Sequence, residues 1–186
     1  MKHEYIPVPK ANKTKRLATI LFFAGLVLFV LGAVKMIPYR AVIQVASLAT
    51  LTASIMLVGR FLLRAYAYRI EDMGEGDEFF VDEITRRTRY SVCRLEMRKL
   101  VAIHPWDSAS KELKNKKRYS YCPDIFGGGA YLLEFFDSDY DITSERIFVK
   151  ITPDEKLLEI LGEAVLANKE NSENAENTEN IKATEE

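Results

Sequence analysis

The pattern of hydrophobic and polar positions divides the chain into two parts. The first contains long apolar runs, and in the second hydrophobic and polar residues alternate. Residues 17–34 carry no charge, and a helix of this length crosses a hydrocarbon core of about 30 Å at about 1.5 Å per residue. Residues 41–63 form a second such run, with Arg60 near its far end. Between them, residues 35–40 contain Pro38, which ends a helix. We therefore predict two transmembrane helices joined by a short external loop.

A secretory signal peptide is the competing interpretation of the first run. The apolar stretch is too long for the core of a signal peptide, and no small-x-small cleavage site precedes Lys35. We therefore expect the first run to be a membrane span.

Small residues mark the faces through which two such helices can approach each other closely. In the first span, Gly25 and Gly32 lie seven residues apart. One face of the second span carries three alanines: Ala46, Ala49 and Ala53. These five positions are predicted to pack helices, either within the hairpin or across a homo-oligomer seam.

Charge is distributed unevenly along a chain whose formal net charge is only −1. Residues 1–70 contain ten Lys and Arg against one acid, whereas the remainder is acidic, and this pattern is typical of a membrane protein rather than a nucleic-acid-binding one. The arm of residues 1–16 holds five of these bases, the loop of residues 35–40 holds two, and Arg64 and Arg69 follow the second span. Since the more basic flanks stay inside, we predict a cell-membrane protein with both termini in the cytoplasm.

A soluble domain is predicted over residues 66–167. Its strand-like runs cover residues 67–71, 78–85, 88–96, 100–106, 118–122, 130–136 and 145–152. Thr152 then begins a Thr-Pro-Asp-Glu capping box, and an apolar stripe from Leu157 to Val165 predicts one amphipathic helix. The fold class is therefore a membrane helical hairpin plus an α+β, mainly antiparallel domain of about seven strands closed by a C-terminal helix.

This order of elements resembles a pleckstrin-homology-like (PH-like) domain. Over about residues 15–166 the chain is similar to uncharacterised bacterial membrane proteins with a cytoplasmic bacterial PH-like domain, mostly from Gram-positive anaerobes. The stretches that carry the resemblance are RRTRYSVCRLEMRKLVAIHPW, KRYSYC, ERIFVKI and TPDEKLLEIL. The resemblance implies a fold and a location, and it transfers no catalytic residues.

The segment of residues 168–186 repeats Glu-Asn without an apolar period, which predicts a disordered tail. Three glycines, residues 127–129, lie between two strand-like runs and predict a hairpin turn. A phosphate cradle would need these glycines to lead into a helix, and the preceding Asp-Ile-Phe-Gly lacks the other motifs of a kinase.

Other residues that could support chemistry favour structural interpretations. His104 lies in an apolar strand, and Cys93 and Cys122 form no CxxC or metal-ligand spacing. Asp137, Asp139 and Asp141 alternate as in a calcium loop but lack its glycine and its distal glutamate. We therefore predict no catalytic residue, no metal and no cofactor.

The strongest interaction candidate is a basic loop after Trp106. Its cations are Lys114, Lys116, Lys117 and Arg118. Each base near an anionic leaflet contributes about 1 kcal/mol of attraction, although a solvated loop without a ligand would have the same composition.

The sequence thus favours a non-enzymatic membrane-anchored module that binds an unidentified protein partner or the inner-leaflet surface, with anionic lipid headgroups as candidate ligands and no nucleic acid. The alternative is an accessory or regulatory subunit of a larger membrane complex, assembled through the hairpin. An enzyme of unknown type ranks third.

Overall fold

The computed structural model describes residues 2–8, 13–34, 39–74, 76–125, 128–137 and 146–184, with side chains as far as Ser172. In these residues the chain forms two apolar helices, two four-stranded sheets and a C-terminal helix, and seven of the eight strands follow the apolar helices. The helices are α1 (Lys13–Ala33), α2 (Arg40–Leu57), α3 (Lys111–Asn115) and α4 (Glu155–Thr184). The strands are β1 (His3–Tyr5), β2 (Ala65–Asp72), β3 (Asp77–Thr85), β4 (Thr88–Glu96), β5 (Leu100–Pro105), β6 (Tyr119–Ser120), β7 (Tyr131–Phe136) and β8 (Arg146–Ile151).

The predicted pair of apolar helices is confirmed. Mean hydropathy reaches 2.2 in Lys13–Ala33 and 2.0 in Arg40–Leu62, and both helices are long and apolar enough to cross a membrane by length and composition. A π-helical turn, Val58–Leu62, ends the second of them. The external loop was predicted over residues 35–40, of which residues 35–38 lie outside the described part of the chain.

The first sheet has the order β1-β2-β3-β4, and its first strand comes from before the hairpin. β1 pairs antiparallel with β2, so that Tyr5 faces Tyr68 and His3 faces Ile70. The segment predicted as a basic arm, residues 1–16, therefore contributes an edge strand to the domain. The pattern did not indicate this strand because three residues are too few to show a period.

The second sheet has the order β5-β7-β8-β6, in which β6 runs parallel to β8 and the other pairs are antiparallel. β6 does not pair with β7, so the predicted hairpin over the glycines is wrong. The connection instead crosses from one side of β8 to the other, and Gly129 adopts a φ of 79° within it. Gly127 lies outside the described residues. β7 follows the glycines, as predicted, and a phosphate cradle would require a helix there.

The core lies between the two sheets and is closed by α4. Phe79 of the first sheet stacks on Phe135 of the second, with ring centroids 6.5 Å apart. Leu157 and Leu161 of α4 are fully buried in the same cluster. The mainly antiparallel fold and the predicted helix stripe are thus confirmed.

The beginning of α4 differs from the predicted capping box. The backbone N–H of Leu157 donates to Asp154 Oδ1 at 3.0 Å, so that Asp154 caps the helix. Thr152 is buried at the end of β8, where its N–H donates to Tyr68 Oη at 3.2 Å. Thr152 is therefore held at the end of the strand by Tyr68, and the helix begins two residues later than the pattern predicts.

The structure also continues α4 to Thr184, through the segment that was predicted to be disordered. Asn168, one residue past the predicted end of the domain, donates from Nδ2 to the carbonyls of Met97 and Leu100 at 2.8 and 2.9 Å. No glycine or proline follows Gly162, and glutamate, a good helix former, is the most frequent residue of the tail.

Candidate functional site

A group of cations surrounds Trp106, the single tryptophan of the chain. The Lys150 Nζ lies 3.8 Å from the ring centroid, the Arg118 Cζ lies 4.7 Å from it, and the Lys114 Nζ lies 5.5 Å from it. Cations at these distances are attracted to the ring face, by about 0.5–1 kcal/mol each at exposed sites. We call Trp106, Lys114, Arg118 and Lys150 the Trp106 cluster.

A short helix that the sequence did not indicate positions part of this cluster. α3 begins after Ser110, whose Oγ accepts from the N–H of Leu113 at 3.3 Å. Lys114 in this helix donates from Nζ to the Asp107 carbonyl at 3.3 Å. Arg118 follows and donates from Nη1 to the Lys114 carbonyl. The predicted loop is therefore a helical turn that holds two of its cations against one aromatic ring.

The structure brings three of the four predicted basic residues to aromatic rings. Lys116 lies beside the cluster, with its Nζ 5.1 Å from the Phe148 ring centroid. Lys117 is exposed. Lys150, which sequence reasoning missed as a site residue, comes from β8. The sequence feature that could have identified Lys150 is the alternation of side chains along β8, which places it on the face opposite Val149 and Ile151.

The electrostatics of the Trp106 cluster favour an anion. Burial lowers the pKa of Lys150, and the charges of Arg118 and Lys114 act in the same direction, although Cys122 and Asp107 oppose them. Like charges held together in this way repel each other until a counter-charge arrives. The cluster can therefore bind a carboxylate or a phosphate.

A cleft of about 750 Å³ adjoins the cluster at the end of α2. Residues of α2, the π-helical turn, β2, β3 and β6 line it, and Arg118 is shared between the cleft and the Trp106 cluster. The cluster is consequently close to the end of the second apolar helix, as the basic-loop hypothesis requires.

The glycines that were predicted to pack helices lie at the seam between α1 and α2. The Gly25 carbonyl accepts from Ser47 Oγ at 2.9 Å, and the Gly32 carbonyl accepts from Gln44 Nε2 at 3.2 Å. Ser54 makes a similar bond to the Ala18 carbonyl at 2.9 Å. The structure therefore brings Gly25 and Gly32 to the seam.

The three predicted alanines are not at this seam. Ala46, Ala49 and Ala53 are exposed on α2, while Ser47 and Ser54 are buried against α1. Hydroxyl groups within an apolar run were the signal that could have identified the seam, since a buried hydroxyl requires a hydrogen-bond partner.

Of the candidates for chemistry, His104 lies beside an acid and a second base. His104 Nε2 lies 3.1 Å from Glu134 Oε2, and Arg146 also pairs with Glu134, whose side chain is 7% exposed. Burial raises the pKa of Glu134, but the hydrogen bonds from Arg146 and His104 outweigh it and the net pKa is lowered. This carboxylate is thus held ionised between two bases.

The two thiols are poorly suited to nucleophilic chemistry. Burial raises the pKa of Cys93 to about 11, and it also raises the pKa of Cys122. Since the thiolate is the reactive form, burial disfavours nucleophilic reaction at both groups at neutral pH.

Within the described residues, no group of three or more His, Cys, Asp or Glu is placed to hold a metal ion. Of the acidic positions that alternate like a calcium loop, Asp137 is exposed, whereas Asp139 and Asp141 lie outside the described part of the chain.

Comparisons with known proteins add no relative to this description. A scan of family models, a search of curated proteins and a search of solved structures each found no match to the chain.

Proposed function

We propose that the chain is a non-enzymatic interaction module of bacterial type, anchored in the cell membrane by α1 and α2, with both termini in the cytoplasm. Its PH-like domain uses the Trp106 cluster to bind an anionic surface, either an acidic segment of a protein partner or the inner leaflet. The single observation that carries this proposal is the convergence of Lys114, Arg118 and Lys150 on one tryptophan ring.

The surface of the hairpin supports membrane anchoring. Large apolar side chains are exposed along both helices, among them Phe23 at 60%, Phe29 at 57% and Leu48 at 67%. Exposed apolar surface of this extent is costly in water and suits lipid. Two mainly antiparallel sheets closed by a C-terminal helix support the PH-like assignment.

The fluorescence of Trp106 tests the proposal directly, because the chain has no other tryptophan and a tryptophan-free scaffold protein adds none. The full chain is placed in phosphatidylcholine nanodiscs with and without phosphatidylglycerol, and quenching by acrylamide is measured. Docking of the Trp106 cluster on an anionic leaflet should shield the ring, so that quenching falls when phosphatidylglycerol is present. High salt should reverse the effect, since screening acts within about 10 Å at 0.1 M.

The matched variant changes Lys114, Lys116, Lys117 and Arg118 to Ser. Its quenching should not depend on the lipid, and its melting temperature should stay near that of the wild type because exposed charges contribute little to stability. Equal quenching of the wild type in both kinds of nanodisc would reject docking on the leaflet. A photo-crosslinker at Lys117 would then test for an acidic protein partner.

The exposed alanine face of α2 favours one alternative, an accessory subunit assembled through the hairpin. Ala46, Ala49 and Ala53 leave a narrow surface against which another helix can pack closely. In that case Ala49→Leu should abolish co-purification of a membrane partner, whereas Leu48→Phe on another part of the exposed surface should not. Under the main proposal, both variants should capture partners as the wild type does.

A further inference from the structure

The cleft at the end of α2 has the composition of a site for an anionic phospholipid. Met56 and Leu57 of α2 form its apolar side, and Met56 is 69% exposed. The domain contributes other lining residues, among them Tyr66 of β2 and Tyr121, which meet edge to face with ring centroids 5.4 Å apart. Apolar side chains of α2 and aromatic side chains of the domain thus line one cleft of about 750 Å³.

Three arginines from different parts of the fold line this cleft: Arg60, Arg64 and Arg118. The acid among the lining residues is Glu83, whose side chain is 8% exposed. Glu83 already accepts from Tyr90 Oη at 2.7 Å and pairs with Arg64 at 3.3 Å.

The other two arginines are not neutralised. In the part of the chain that the structure describes, no carboxylate forms an ion pair with Arg60 or Arg118. Their described contacts are with uncharged groups: Arg60 Cζ lies 5.6 Å from the Phe61 ring centroid, and Arg118 lies over Trp106 and donates to the Lys114 carbonyl. The cleft therefore has an excess of positive charge.

The backbone at Arg60 is also unusual. Arg60 lies in the π-helical turn Val58–Leu62, which the Leu63 N–H closes by donating to the Val58 carbonyl at 3.1 Å. π-Helical turns often occur at functional sites. Here the turn places an arginine at the point where an apolar helix gives way to the domain.

We propose that this cleft binds the phosphate of one anionic phospholipid, with Arg60 as its main ligand, Arg64 and Arg118 beside it, and the acyl chains beside Met56 and Leu57. Guanidinium groups bind phosphate through paired hydrogen bonds, which explains three arginines where lysine would supply charge alone. The apolar side of the cleft favours a lipid over a soluble phosphate. This inference rests on the proposal that α1 and α2 cross the membrane, and it adds a defined lipid site to it.

The test titrates the full chain, purified in a nonionic detergent, by calorimetry. The probes are short-chain phosphatidylglycerol, short-chain phosphatidylcholine and inorganic phosphate. We expect phosphatidylglycerol to bind at least about tenfold more tightly than phosphatidylcholine, which carries the same phosphate but also a choline cation that the arginines repel. Inorganic phosphate should bind far more weakly than the lipid because it cannot use the apolar side.

Variants then locate the site. Arg60→Gln with Arg64→Gln should lose the preference for phosphatidylglycerol, whereas Lys156→Gln with Lys169→Gln, an equal loss of charge on exposed positions of α4, should keep it. The double variant loses the ion pair between Arg64 and Glu83, and this loss could lower its melting temperature. In that case Arg60→Gln alone tests the preference for phosphatidylglycerol without breaking a described ion pair.

Three results would overturn the inference: equal affinity for the two lipids, phosphate binding as tight as that of phosphatidylglycerol, or unchanged affinity in the arginine variants. The variant Lys114→Ser, Lys116→Ser, Lys117→Ser separates the two proposals. It should still bind phosphatidylglycerol in the calorimetric titration. The acrylamide assay in nanodiscs, by contrast, reports on the Trp106 cluster alone.

Discussion

Asp82 lies in the first sheet with its side chain only 3% exposed and two arginines beside it. Arg89 Nη2 is 2.7 Å from Asp82 Oδ2, and Arg69 Nε is 3.2 Å from the same oxygen. Burial raises the pKa of Asp82, but the hydrogen bonds from Arg89 and Ser91 and the charge of Arg69 outweigh it and lower the net pKa. The carboxylate is therefore held ionised by its neighbours, and its protonation state is linked to folding.

The sign of this linkage gives a pH prediction. A lowered pKa in the folded state stabilises the fold above the ordinary aspartate pKa of about 4, and this stability is lost as pH falls through the lower folded value. The melting temperature of the full chain in detergent should therefore decrease once the pH is lowered past about 4. Asp82→Asn should be less stable at neutral pH and should show a shallower decline. Asp137→Asn, on an exposed residue, should leave the profile unchanged, and an equally steep profile for Asp82→Asn would contradict the assignment.

The cap of α4 gives a second prediction for a single residue. Asp154→Ala removes the acceptor for the Leu157 N–H and should lower the free energy of unfolding by about 1 kcal/mol. Asp154→Asn should retain most of the stability because asparagine caps about as well as aspartate. Chemical denaturation of the full chain measures both. Equal losses for the two variants would show that the negative charge beside His3, 3.1 Å away, matters more than the cap.

At the scale of elements, the seam between α1 and α2 combines close approach with hydrogen bonds. Ala18, Gly25 and Gly32 recur every seven residues on α1, and all three are buried. Their carbonyls accept from the side chains of α2, as described above. A Cβ added at Gly25 would lie 2.7 Å from the Leu51 Cγ and 3.3 Å from the Leu51 backbone nitrogen, so the helices would have to separate.

Gly25→Ala should therefore destabilise the hairpin by about 1–3 kcal/mol, the usual cost of overpacking. Gly59→Ala is the matched control because a Cβ there meets nothing within 4 Å. Unfolding of the full chain in micelles measures the difference between the two variants. If Gly25→Ala is as stable as Gly59→Ala, the two helices do not approach each other at this seam.

At the scale of the whole molecule, the beginning of the hairpin is connected closely to the domain. β1 precedes α1 and is held by ion pairs from Lys2 to Asp77 and from Glu4 to Arg89, each 2.6 Å long. Thr14, near the beginning of α1, hydrogen-bonds to the buried Asp124. These contacts keep the N-terminal strand on the same side of the hairpin as the sheets.

The topology can be tested by labelling with a membrane-impermeant maleimide. A cysteine at Lys35 should be labelled in intact cells, whereas a cysteine at the exposed Ser172 should be labelled only after permeabilisation. Introduced cysteines are needed because burial makes Cys93 and Cys122 poor reporters. Labelling at Ser172 in intact cells would overturn the cytoplasmic assignment of the domain.

The sequence by itself determined the elements whose signals are local. Two long apolar runs are visible from their length, and the seven short strand-like runs and the stripe containing Leu157 and Leu161 have the periods that burial imposes on neighbouring residues. The basic residues after Trp106 were also visible, as a cluster in the sequence.

Only the tertiary structure decided which of these elements meet, because pairing depends on residues far apart in the chain. It placed β1 beside β2 across the hairpin, put β6 beside β8 instead of β7, and carried Lys150 to the Trp106 ring. It also selected Ser47 and Ser54 for the helix seam in place of the alanines, since a buried hydroxyl is stable only where a carbonyl accepts from it. The cleft lined by Arg60, Arg64 and Arg118 arises in the same way, from arginines that only folding brings together.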